Sequence, residues 1–281
     1  MKKIAVIGAG TMGAGIAQVA AEAGYQVNLR DIKDEYIDRG IQTIAKFMGR
    51  KLEKGKITQE QHGEVLGRIN GTRDLKEALE GTELVVEAVL EKMELKKEVF
   101  SELGKLCDQD IVLATNTSTL SITEIASSAR FPERVVGTHF FNPVPLMRLV
   151  EVVRGEKTGE DIVKKAADFC EAVGKTPITV KDVPGFIVNR FLCLLYNEGA
   201  YQVQNQIASK EDIDKGLKLG ANHPMGILEL MDVVGVDVVH DALVSLWEST
   251  KEERYKPCPL LRQMVEDNQL GRKTGEGFYK Y

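Results

Sequence analysis

The sequence predicts an α/β chain: a doubly wound, mainly parallel sheet with a protruding helical hairpin, followed by an all-helical C-terminal domain. Three observations lead there. Short apolar runs alternate with longer amphipathic ones over roughly the first 183 residues, the pattern of βαβ crossovers. Residues 3–13, Lys-Ile-Ala-Val-Ile-Gly-Ala-Gly-Thr-Met-Gly, form an apolar strand running into a glycine-spaced turn. After Pro184-Gly185 the strand pattern stops and helical periodicity alone continues.

In chain order the strands are Ile4–Ile7, Gln26–Arg30, Leu84–Glu87, Ile111–Ala114, Val135–Gly137 and Leu149–Val153, with Pro177–Val180 as an added edge strand. Ala14–Ala23 is the first helix. Between Asp31 and Leu84, Ile37, Ile41, Ile44, Met48 and Leu52 recur at three- and four-residue spacing, one apolar helix stripe. Lys46, Arg50, Lys51 and Lys54 lie on the opposite face, Gly55 ends the helix, and Thr58–Gly67 returns as the second arm of a hairpin. Beyond Pro184, helices are expected at Phe186–Gln206, from Lys210 with Ser209 as cap, and at Met225–Val234, Val236–Trp247 and Leu260–Asn268. A length of 281 residues is ample for two domains, here 1–184 and 185–281.

Gly8, Gly10 and Gly13 have G-x-G-x-x-G spacing between a strand and a helix, with Thr11 and Met12 inside the motif. In that context Gly8 permits the tight turn and Gly10 lets the backbone approach a pyrophosphate. Gly13 lets the helix pack on the strand, and the helix N-terminus supplies N–H donors. Asp31 ends the second strand, where a carboxylate accepts from an adenosine ribose 2′-hydroxyl. The expected cofactor is therefore NAD in a Rossmann-like domain. NADH is preferred over NADPH because a 2′-phosphate would meet like charge, although Arg30 and Lys33 flank the acid.

Composition narrows the setting. An apolar fraction of 43% and a charged fraction of 28% suit a globular protein, and a net charge of −5 gives no support for nucleic-acid binding. Cys107, Cys170, Cys193 and Cys258 form no C-x-x-C and read as reduced thiols, not as a disulfide framework or a zinc site; no metal is expected. Lys2, Lys3 and the apolar stretch after them imitate a secretory signal, but Gly8, Gly10, Gly13 and Gly15 break the run. Phe186–Tyr196 is too short to span a bilayer and contains Asn189 and Arg190, so no membrane partner is expected and the chain reads as cytoplasmic. The apolar C-terminal helices suggest a two-fold homodimer.

In a doubly wound sheet the ligand lies beyond the carboxyl ends of the strands. Asp31, Glu87, Glu91, Thr115–Thr119 and His139 all fall there. His139 is followed by the rigid Asn142-Pro143-Val144-Pro145, and Glu151 comes twelve residues after it inside an apolar strand. A carboxylate so placed needs a partner, and an imidazole suits it. Position alone leaves two readings for His139, a packed histidine or a proton-transfer group held by Glu151.

The motifs together resemble the short-chain L-3-hydroxyacyl-CoA dehydrogenases nearly end to end. They are Gly8–Gly13, Asn116-Thr117-Ser118, His139-Phe140-Phe141-Asn142-Pro143, Leu149-Val150-Glu151-Val152, Pro184–Arg190, Leu217–Gly226 and Gly271–Tyr279. The resemblance implies reversible hydride transfer between C3 of a 3-hydroxyacyl-CoA and a nicotinamide. His139 is then the general acid/base, oriented by Glu151, with Ser118 and Asn189 at the substrate. Glu91, Lys96, Ser118, Asn142 and Lys273 join Gly8, Gly10, Gly13 and Asp31 as cofactor contacts. The hairpin covers CoA, with Lys51 and Lys54 toward its phosphates; without the resemblance composition favours a solvated face for these lysines. Two departures stand out: Thr119 where the family usually has Ser, and Ile227 where a proline commonly follows Pro-Met-Gly. A sugar-acid dehydrogenase of the L-gulonate type and a non-catalytic dinucleotide-binding protein are the alternatives.

Overall fold

The computed structural model describes residues 3–281; Lys2, part of the basic start noted above, lies outside them. Contacts divide the chain into two compact units, one ending at Val183 and one from Pro184 to Tyr281.

The first unit runs β1 (Lys3–Ile7), α1 (Thr11–Glu22), β2 (Gln26–Arg30), α2 (Asp34–Glu53), α3 (Gln59–Gly67), β3 (Ile69–Thr72), α4 (Leu75–Leu79) and β4 (Leu84–Glu87). It continues through α5 (Met93–Leu106), β5 (Val112–Thr115), α6 (Ile122–Ala126), β6 (Val135–Phe140), β7 (Leu149–Arg154), α7 (Glu160–Ala172) and β8 (Thr176–Lys181). The strands form one sheet in the order β3-β2-β1-β4-β5-β6-β7-β8. Every neighbouring pair is parallel except β6 and β7, which are antiparallel. β4 and β5 are buried at every position, as strands covered by helices on both faces must be. The strand order reverses at β1, so the crevice for a ligand opens past the ends of β1 and β4.

β3 is a strand that the apolar pattern does not predict. Ile-Asn-Gly-Thr shows no apolar alternation and contains two poor strand formers. It forms because it pairs with β2 at the sheet edge and because Gly71 lies under Ile37, whose Cγ2 would be 2.4 Å from any Cβ there. The long crossover is therefore a helical pair that leads back into the sheet. Ile44, Met48 and Val65 of that pair join the main core. Thr58 and Gln61 form a reciprocal capping box at the start of α3.

The second unit contains α8 (Val188–Gln204), α9 (Lys210–Gly220), α10 (Ile227–Val234), α11 (Val236–Thr250) and α12 (Pro259–Glu266) around Tyr196, Leu228, Met231, Leu243 and Leu261. α8 starts later than periodicity predicts because Phe186 adopts a positive φ of 48°. Ser209 caps α9 by accepting from the Asp212 amide. Ile227 opens α10 without a proline: buried Asp214 accepts from the Leu228 and Glu229 amides and supplies the cap. The C-terminal tail returns to Asp232, which accepts from the Phe278 and Tyr279 amides.

All four cysteines are free and buried. Burial pushes the Cys107 thiol up to about 11 and those of Cys170 and Cys193 up to about 12. No helix among the described residues is long and apolar enough to cross a membrane.

Candidate active site

The glycine turn comes first. Gly8 holds φ +106°, and a Cβ there would lie 2.5 Å from the Ala88 carbonyl oxygen, so only glycine fits. Gly13 is equally constrained, since its Cβ would meet the Gly8 carbonyl oxygen. Gly10 differs: a Cβ there would meet nothing within 4 Å, and no side chain caps α1 at this position. The helix start thus faces open space, the arrangement an anion needs. Asp31 Oδ2 accepts from the Ala9 amide at 2.7 Å, which docks the acid onto the same turn. A dinucleotide fits these residues: bare backbone for the pyrophosphate and a carboxylate beside it for the ribose.

A cavity of about 310 Å³ lies next to the turn. Met12 and Val89 line it, with Asn116 and Ser118 past the end of β5 and His139, Phe141 and Asn142 at the end of β6. His139 and Glu151 face each other across the β6–β7 ladder, and Nδ1 of His139 lies 2.6 Å from Oε2 of Glu151. His139 is 6% exposed and Glu151 fully buried. An ionised Glu151 makes Nδ1 the protonated nitrogen and Nε2 the basic one. The Phe141 ring sits 4.3 Å from the imidazole, tilted by 44°.

Glu91 is a loop anchor. Its Oε1 accepts from the Thr117 hydroxyl at 2.6 Å and the Ser118 amide at 2.9 Å, and so fixes the segment that carries Ser118. Lys96 is fully buried. Its ammonium donates to both oxygens of Glu87, at 2.8 and 3.0 Å, and to the Asn116 carbonyl at 3.1 Å. Burial pushes the Glu87 carboxyl up, while Lys96, the Thr115 hydroxyl and the Val89 amide stabilise its charged form. Lys96 reaches the cavity wall through Asn116 and through Glu91, whose Oε2 lies 3.6 Å from its Nζ. Asn116 in turn accepts from the Phe140 amide at 3.1 Å. Sequence reasoning missed this chain of contacts, and the only signal for it was the Thr115–Thr119 run after β5.

The remaining predicted residues belong to other elements. Asn189 is in the first turn of α8, in the second unit. Lys273, also there, bonds Asp237 at 2.5 and 2.6 Å; burial acts to raise the Asp237 carboxyl, but this lysine and backbone amides hold it below the usual range. Thr11 is exposed at the start of α1. Lys51 is half-buried and bonds both oxygens of Glu22 on α1, at 2.8 and 2.6 Å, whereas Lys54 is exposed at the end of α2.

Two family models cover the chain. The 3-hydroxyacyl-CoA dehydrogenase NAD binding domain matches residues 3–183, and the 3-hydroxyacyl-CoA dehydrogenase C-terminal domain matches residues 185–281. A probable 3-hydroxybutyryl-CoA dehydrogenase of Deinococcus radiodurans is 45% identical over 279 residues, which cover 99% of this chain and 100% of that protein. The 3-hydroxybutyryl-CoA dehydrogenase of Clostridioides difficile is 44% identical, with 99% of each chain covered. Among solved structures, (S)-3-hydroxybutyryl-CoA dehydrogenase from Ralstonia eutropha superposes with a TM-score of 0.97 at 39% identity, covering 100% of this chain and 99% of that one.

Proposed function

The chain belongs to the 3-hydroxyacyl-CoA dehydrogenase family, and from that premise we propose that it interconverts (S)-3-hydroxybutyryl-CoA and acetoacetyl-CoA with NAD(H). The observation that carries the assignment of roles is the 2.6 Å His139–Glu151 contact on the wall of a cavity beside a dinucleotide turn.

NAD, when bound, supplies the hydride acceptor at its nicotinamide. In oxidation His139 Nε2 takes the C3 hydroxyl proton as the C3–H bond breaks. In reduction it returns that proton to the ketone oxygen. Glu151 orients the ring and stabilises the imidazolium, which raises its basicity. Ser118, held by Glu91, is a hydroxyl partner for the substrate oxygen, and Asn189 is a second substrate contact. Gly8, Gly10, Thr11, Met12, Gly13 and Asp31 hold the dinucleotide, with Glu91, Asn142 and Lys273 as further contacts. Lys96 acts on this site as a positioning group through Asn116 and Glu91. Lys51 and Lys54 receive the CoA phosphates.

Oxidation of NADH with acetoacetyl-CoA, compared with a keto sugar acid, tests the reading. Turnover with the CoA thioester alone supports it. Turnover with the sugar acid alone, or NADH binding without turnover, would replace it with a sugar-acid dehydrogenase or a binding protein.

A further inference from the structure

Lys175 lies one residue before β8 and is 8% exposed. Its Nζ donates to the Val144 carbonyl at 2.5 Å and to the Met147 carbonyl at 2.9 Å. Both carbonyls belong to the loop 141–148, which joins the strand of His139 to the strand of Glu151. That loop opens with Phe141, packed on the imidazole, and Asn142, on the cavity wall. It is held from its other side too: a methyl on Gly15 of α1 would lie 2.8 Å from Val144 Cβ. Within it, the Leu146 and Met147 amides both donate to the Pro143 carbonyl.

A buried amine is costly unless its donors are used, and here they are spent on an irregular loop. Burial lowers the Lys175 pKa, Glu22 raises it, and Lys51 lowers it again. A neutral amine keeps two N–H donors, so either form satisfies both carbonyls.

We propose that Lys175 is a positioning residue for the dehydrogenase reaction, clamping the 141–148 loop so that Phe141 and Asn142 stay registered against His139 on the cofactor side. The inference rests on the functional reading above. A site needs a rigid second layer, because a misplacement of about 1 Å in a supporting group costs on the order of 100-fold in rate.

Activity of the unaltered protein tests the functional reading itself. Lys175→Met then tests the clamp. The KM for NADH rises and kcat falls about 10- to 100-fold, while the KM for acetoacetyl-CoA moves less than about twofold. Lys175→Arg, which keeps the donors, recovers most of both. Unchanged constants overturn the proposal. So does a fall in kcat alone with both KM values fixed, since that is what a smaller folded fraction produces. Hydrogen exchange on the unliganded wild-type protein needs neither a variant nor activity. The Leu146 and Met147 amides exchange as slowly as those of β7 if the clamp holds, and exchange at the rate of an open loop overturns it.

Discussion

Glu151 stands directly opposite His139 in the β6–β7 ladder, and its Oε2 lies 2.6 Å from the imidazole Nδ1. Residues directly opposite in antiparallel strands project to the same face with their Cβ atoms close together, so the pair needs no distortion to meet. Because β6 and β7 pair antiparallel, the direct loop 141–148 joins the two halves of the pair without a crossover helix.

His139→Ala is expected to lower kcat by about 10²–10⁴-fold, the usual contribution of general acid–base catalysis, with NADH affinity retained. Glu151→Gln should also be severely impaired, because a neutral amide does not stabilise the imidazolium. Steady-state kinetics with fluorescence titration of NADH would check both. Either variant working at more than about a tenth of the wild-type rate removes the pair from the mechanism.

Asp31 predicts NADH over NADPH. Its carboxylate, held by the Ala9 amide, repels a 2′-phosphate and accepts from a 2′-hydroxyl. Comparing kcat/KM for the two cofactors tests this, and Asp31→Ser should narrow the ratio. Equal efficiency in the wild type would discard the assignment.

Lys51 and Lys54 predict a salt-dependent hold on the CoA carrier. Lys54→Ala should raise the KM for acetoacetyl-CoA at low ionic strength and less at high, with the NADH KM steady. Lys51→Ala should do the same and also loosen the contact between α2 and α1, because Lys51 bonds Glu22. An unchanged thioester KM at low salt in the double variant would leave the basic face merely solvated.

The buried Lys96–Glu87 pair predicts an asymmetric response to mutation. Lys96→Met strands a fully buried carboxylate and should cost about 3–5 kcal/mol of stability in denaturant unfolding. Adding Glu87→Leu should recover much of that loss while leaving Asn116 without its ammonium donor. A double variant as unstable as the single one would mean that packing, not charge, dominates there.

Residues 185–281 are expected to form a homodimer. Phe191 and Val238 of this unit are apolar and at least half exposed. Sedimentation or light scattering at micromolar concentration should give twice the chain mass. A fully active monomer would count against it.

Strand and helix order was legible in the chain, because apolar period and glycine punctuation are local properties: β2 and β4 fall where the pattern predicts, and Ser209 caps its helix. β3 was not legible, since Ile-Asn-Gly-Thr becomes a strand only when β2 offers an edge and Ile37 needs a glycine beneath it. Spacing alone left His139 and Glu151 as two buried polar residues with a need for partners. The antiparallel register made them a pair, and no local signal encodes that register. The same holds for Lys96, Glu91 and Lys175. In the sequence none of them shows its partner, and in the fold each donates to or accepts from atoms 20 or more residues away. Periodicity, the Ser209 cap and the glycine turn depend on neighbours along the chain and can be read from it. Which polar groups are buried together is a property of the folded sheet, because the cost of desolvating a charge and the partner that offsets it exist only once the strands are side by side.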